Sequence, residues 1–164
     1  MTPIKRIGIP SNRIETLQVI AASLLGNTIP CQKVLKEFEE VKRVDSMAIE
    51  EKTRRLLQIL HSTRALDSTL AAFIKNYGYT YPSGSGKKVN KSLYSYLDLI
   101  CYGNPATANI RKLKESDLKN YQQKIVNERN RYMHEADAFP IDDREILSLL
   151  SVMNECLAKV FSLI

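Results

Sequence analysis

Arg129 and His134 stand five positions apart in the run Arg129-Asn130-Arg131-Tyr132-Met133-His134, and Asn130 follows the arginine directly. An imidazole moves protons near neutral pH, because it titrates near pH 6.5. A guanidinium offers a fixed fork of donors to phosphate or carboxylate oxygens. Successive residues of a helix turn by about 100°, so Asn130 and His134 are neighbours at i and i+4. Arg129 lies roughly 140° around from His134, toward the stripe of Ile125 and Tyr132. An arginine on an apolar stripe is costly unless it is paired or faces a wet cleft. A functional cleft at a dimer interface would explain it. So would a side chain that snorkels to solvent, or one that pairs with a structural carboxylate.

These residues need a helix to hold them, and the sequence supplies one over Ser116 to about Ala136. Leu118, Tyr121, Ile125, Tyr132 and Ala136 recur on one face, and Phe139-Pro140 breaks the pattern. Asp142 with Glu145 predicts the start of a last helix, whose face runs Ile146, Leu149, Leu150, Met153, Cys156, Leu157, Val160 and Phe161. Upstream, residues 1–10 read as an irregular lead-in. Asn12 with Glu15 predicts a helix start, and Ile14, Leu17, Ile20, Ala21, Leu24 and Leu25 its apolar face; Gly26-Asn27 ends it. Pro30 suits the first turn of the next helix. Residues 31–77 contain neither glycine nor proline. Val34, Leu35, Phe38 and Val41 mark one stripe. Leu56, Leu57, Leu60, Leu70, Phe73, Ile74 and Tyr77 mark another. The spacing predicts two helices broken near Asp45-Ser46, with Asp45 capping the second; a single long helix is the alternative. Gly78 closes the region. Residues 79–91 form a basic loop, a helix follows to Tyr102 with Leu93, Tyr96, Leu97 and Ile100, and Asn104-Pro105 starts a short helix through Leu113.

No strand pattern, internal repeat or domain linker interrupts this series. The expectation is an all-α fold: a single domain spanning 1–164, built as a bundle of about five to seven helices. The length suffices to bury a core without staples. Charged residues are 26% and hydrophobic ones 44%, a balance that excludes a disordered chain. The formal charge of +6 favours polyanionic partners. Cys31, Cys101 and Cys156 are odd in number and widely spaced. They suit a reducing compartment, give no zinc framework, and read as small buried hydrophobes. Met1 to Pro10 has no long apolar run, and no stretch approaches the roughly 20 apolar residues of a membrane span. The chain reads as cytoplasmic, with no membrane partner, no metal site and no cofactor.

The remaining chemical candidates are weaker. His61 has Ala65 at i+4, so helical metal ligation is unsupported, and it reads as a surface or packing histidine. His134-Glu135-Ala136-Asp137 lacks the second histidine of a zinc-protease helix. Gly84-Ser85-Gly86-Lys87-Lys88 lacks the first glycine of a phosphate loop, since that position is Tyr81. Lys87, Lys88 and Lys91, with Tyr79 and Tyr81, could instead grip RNA by charge and stacking, or belong to a solvated loop. Arg131 could contact flanking phosphates or be a solvated charge, whereas Tyr132 continues the apolar stripe and reads as packing. Glu128 and Glu135 could each pair with arginine, and read first as exposed helix charges. Lys52, Arg54, Arg55 and Arg64, interleaved with Glu50, Glu51 and Asp67, read as an ordinary solvated face.

The run from Arg129 to His134, R-x-x-x-x-H with Asn130 behind the arginine, resembles the motif of the HEPN ribonucleases, late in the chain and near the end of a helix in a bundle. The resemblance implies a HEPN-like fold and metal-independent endoribonuclease activity, in which the RNA 2′-OH attacks its own adjacent phosphate. Under it, Arg129, Asn130 and His134 are catalytic, and Arg131, Lys87, Lys88 and Lys91 bind substrate. It also implies a homodimer, because one motif offers one histidine and two motifs can line a shared cleft. Small stand-alone family members commonly serve as toxins or defence effectors, held by an antitoxin or released by a sensor protein. Two other readings stay open. One is a catalytically inactive HEPN-like module that binds RNA or docks a protein. The other is a structural helical protein in which Arg129 pairs with a carboxylate.

Overall fold

Helical periodicity is realised along most of the chain. The computed structural model describes residues 8–26 and 28–164. Its helices are α1 (Ser11–Leu25), α2 (Ile29–Asp45), α3 (Glu51–Tyr77), α4 (Leu93–Tyr102), α5 (Glu115–Tyr121), α6 (Asn127–His134) and α7 (Asp143–Phe161). A π-helical turn, Gln122–Val126, joins α5 to α6 in one continuous helical segment. The result is the expected all-α bundle. An isolated bridge between Thr80 and Asn104 is the extended pairing among the described residues.

Local chemistry explains most ends. Thr28 caps α2 by accepting a hydrogen bond from the Cys31 N–H, and Pro30 sits in the first turn, where its missing N–H leaves nothing unpaired. Gly78 ends α3 in the left-handed conformation, φ 64°, which a residue without Cβ adopts at little cost. Ser92 caps α4. Asp142 caps α7 through the Arg144 N–H, and Glu145 reaches back to the Ile141 N–H.

Four expectations about ends and connections are corrected. Helix α1 starts at Ser11 after Pro10, with no side-chain cap, so Asn12 lies inside the first turn. Asp45 does not cap α3. Its carboxylate accepts from the Ile9 N–H, the Arg54 guanidinium and the Gln58 amide. The short helix after Asn104-Pro105 is absent, because distant partners take the backbone of that stretch. The Thr80 and Asn104 backbones bond each other. Ala106 N–H reaches the Tyr77 carbonyl, Arg111 N–H the Leu163 carbonyl and Leu113 N–H the Ile100 carbonyl. The helix carrying the motif also stops at His134, leaving Ala136 exposed beyond it. Of the lead-in, residues 1–7 lie outside the described residues, as does Asn27.

Helix α3 is the spine of the bundle and packs against α1, α2, α4, α6 and α7. Its C-terminal half matches the expected stripe: Leu70, Phe73 and Ile74 are buried and Tyr77 is half-buried; Leu66, outside that stripe, is buried as well. Its N-terminal half does not. There Leu56, Leu57 and Leu60 are only half-buried, while Arg54 and Gln58 are fully buried. The solvated-face reading of Arg54 is therefore corrected. Its guanidinium pairs with Asp45 at the end of α2 (3.1 Å), with Asp143 at the start of α7 (2.6 Å) and with Glu51. Arg55 also donates to Asp143, at 3.2 Å. The second oxygen of Asp143 accepts from the Gly8 N–H, which ties the described end of the lead-in to this cluster. A buried charge persists only when partners replace its water, and these carboxylates come from three separate parts of the chain. The three cysteines are buried, as expected, and burial pushes each thiol above its ordinary range. No helix among the described residues is long and apolar enough to cross a membrane.

Candidate functional site

The motif lies directly after the π-helical turn. Widening by one residue per turn rotates the residues beyond it relative to an uninterrupted α-helix, and such turns recur at functional sites. Ile125 and Tyr132 stay in the core, while Arg129 comes to rest half-buried at its edge, facing α3. Arg129 Nη1 donates to Asn130 Oδ1 at 3.0 Å. Asn130 and His134 are exposed, one turn apart on α6. His134 is the last helical residue, and its ring makes no hydrogen bond among the described residues.

Arg129 and Asn130 line a cleft of about 270 Å³ between α3, the start of α4 and α6. Asp67 and Arg64 enter it from α3, and Lys91 and Tyr94 from around the α4 N-terminus. A second cleft of about 280 Å³ adjoins it, lined by Tyr81, Lys87, Lys88 and Asn90, with Asp98 on its wall. Ser92 and Tyr94 belong to both, so Tyr94 forms a wall common to the two clefts. The structure thus brings Arg129, Asn130 and Lys91 together, and sets Lys87 and Lys88 next door. His134 is not among the residues that line either cleft.

Arg131 faces away from them. It lines a cavity of about 410 Å³ against α7, together with Glu128, Tyr132 and Glu145. Its guanidinium is 2.8 Å from Glu128 and lies 4.4 Å from the Tyr132 ring centroid. Tyr132 is buried as expected, and its hydroxyl donates to Glu145 at 3.1 Å. Burial and the Glu145 carboxylate push that phenol up to about 12, so it stays protonated and serves packing.

The loop side chains also divide. Lys87 is pinned: it lies over the Tyr102 ring (4.3 Å) and the Tyr81 ring (5.5 Å) and pairs with Asp98 at 3.4 Å. Tyr79 is buried, with its hydroxyl on the Arg111 carbonyl, and the Tyr81 hydroxyl donates to Asp98. Stacking by Tyr79 is therefore corrected, because its ring sits in the core between Phe73 and the backbone of residue 111. Tyr94 is the aromatic that faces both clefts, at 40% exposure. The signal for it was available: it stands off the Leu93, Leu97, Ile100 stripe of α4. His61 is half-buried and holds Glu37 at 2.7 Å, a packing role that fits its sequence reading.

Asp67 has the least expected environment. Its Oδ1 is withdrawn from water without a hydrogen-bond partner among the described residues. Burial pushes its carboxyl up, against the pull of the Arg129 guanidinium. Its sequence signal was weak, because an aspartate on a long charged helix is ordinarily solvated. Comparison with protein-family models, with curated proteins and with solved structures finds no match for this chain.

Proposed function

We propose that this chain is a metal-independent endoribonuclease of HEPN type, acting at a composite site of a homodimer. The observation that carries this reading is the Arg129–Asn130 pair at the edge of a cleft that also holds Lys91, with His134 one turn further along the same helix. The chemistry asks little of the protein. The RNA 2′-oxygen bonds to the adjacent phosphorus, the bond from phosphorus to the 5′-oxygen breaks, and the products are a 2′,3′-cyclic phosphate and a free 5′-OH. A base must take the 2′ proton and an acid must give one to the leaving oxygen. His134 from each protomer fills these roles, Arg129 stabilises charge on the phosphorane, and Asn130 orients the imidazole or the phosphate. An exposed His134 at a helix end, outside its own chain's cleft, suits a site completed by a second copy. A toxin or defence role, restrained by an antitoxin or sensor protein, goes with this reading.

The test is incubation of the purified protein with total RNA in excess EDTA, beside His134→Ala. Cleavage that persists in EDTA, requires His134 and leaves cyclic-phosphate ends is the expected result. A second reading, an inactive RNA-binding module, draws on the same position of His134, free of hydrogen bonds and outside the cleft. RNA left intact by both proteins, but bound equally by both, would favour it.

A further inference from the structure

Asp67 is a carboxylate at the wall of a cleft otherwise dominated by Arg64, Lys91 and Arg129, yet it forms no ion pair or hydrogen bond with any described residue. Other buried and half-buried acids are engaged, among them Asp98 by Lys87 and Tyr81, Glu37 by His61 and Arg64, and Asp143 by Arg54 and Arg55. The Asp67 Oδ1 is shut off from the cleft as well as from water, so the oxygen open to a ligand is Oδ2, which likewise has no partner among the described residues. Tyr94 lines the same cleft, is 40% exposed, and its hydroxyl makes no hydrogen bond among the described residues. Tyr102 is comparably exposed, at 38%, but Lys87 covers its ring and Glu115 accepts from its hydroxyl. An exposed tyrosine, an unmet acceptor and three cations thus line one cleft.

We propose that this cleft is a nucleobase pocket for a guanine of single-stranded RNA, in which Tyr94 stacks on the ring, the Asp67 carboxylate accepts from the base edge, and Arg129 and Lys91 hold the neighbouring phosphate. The inference rests on the RNA reading of the site and adds its base preference. The chemistry selects the base. Guanine presents two adjacent donors, N1–H and the N2 amino group, which can converge on the one open carboxylate oxygen. Adenine and cytosine each place a ring-nitrogen acceptor beside their amino group, and uracil flanks its one N–H with two carbonyls. Each of these sets a lone pair against Asp67. Single-stranded RNA is where such an edge is open to a side chain and a base is free to stack on an aromatic ring. The volume, about 270 Å³, lies below the usual range for drug-sized ligands and suits one planar base. Because Arg129 is shared, the guanosine would adjoin the scissile phosphate.

The test measures binding without cleavage, using fluorescently labelled 2′-O-methyl pentanucleotides that lack the nucleophile. The four probes are all-uridine, or uridine with a central G, A or C. The full-length protein should bind the G probe about tenfold more tightly than the others. Asp67→Asn, which keeps the shape and exchanges one acceptor for a donor, should bring the four probes to within about twofold. Tyr94→Ala should weaken every probe by about tenfold, with Tyr94→Phe restoring binding. Equal binding of all four probes by the unaltered protein overturns the proposal without recourse to any variant. So does a guanine preference that survives Asp67→Asn. Guanine preference in a protein that leaves RNA intact would sink the nuclease and keep the pocket. Cleavage without guanine preference would do the reverse.

Discussion

Asp143→Asn is the perturbation that best probes the buried ion cluster. Burial alone would raise the Asp143 carboxyl. Donors from Arg54, the Gly8 N–H and Arg55 outweigh it and hold the group at about 2, against an ordinary 3.8. A tenfold change in proton affinity corresponds to about 1.36 kcal/mol, so the ionised carboxylate contributes about 2–3 kcal/mol to folding at neutral pH. For a chain of this length that lowers the melting temperature by roughly 5–10 °C when the charge is removed. The sign with pH is fixed by the direction in which the carboxyl is displaced. Asp143 titrates lower in the folded protein than in the unfolded chain, so its contribution is full above about pH 4 and is lost as pH falls through about 2. Thermal melts of both proteins by circular dichroism, from pH 7 down to pH 2, provide the assay. The gap between them should be wide at pH 7 and nearly closed at pH 2. An unchanged gap across that range would show that Asp143 acts through shape rather than charge. No gap at pH 7 would mean that Asp45 and Glu51 suffice to hold Arg54.

Arg129→Ala should abolish RNA cleavage while lowering the melting temperature by no more than about 2 °C, because its one side-chain hydrogen bond is to the adjacent, exposed Asn130. A large loss of stability would instead support a structural pairing of Arg129. Gly78→Ala should destabilise by about 2 kcal/mol or more, read as a drop in melting temperature. It forces a Cβ into φ +64°, with the Ala106 Cβ 2.6 Å away.

The helical character, the number of helices to within one, and the location of the loop at 79–91 were all legible in the sequence. They depend on local rules: apolar spacing near 3.6 residues, glycine and proline at the breaks, and short polar side chains that satisfy the first N–H groups of a helix. Val34, Phe38 and Val41 of α2, or Met153, Cys156 and Val160 of α7, could be assigned to the core on spacing alone. The motif residues were equally legible as types, since a histidine and an arginine at that spacing can be recognised without knowing what surrounds them.

Tertiary structure decided everything that depends on partners distant in the chain. Arg54 reads as a surface charge until Asp143, 89 positions away, is brought against it. Residues 104–114 have the composition of a short helix, yet carbonyls of Tyr77, Ile100 and Leu163 take their N–H groups. The π-helical turn at Gln122–Val126 carries no proline or glycine to announce it, and it sets which way Arg129 faces. The placing of Tyr94 and Asp67 on one cleft, from two helices, belongs to the same class. The sequence determined where helices form, because a helix satisfies its own backbone within one turn. Only the folded chain determined which polar groups meet, because burial and charge pairing act through space.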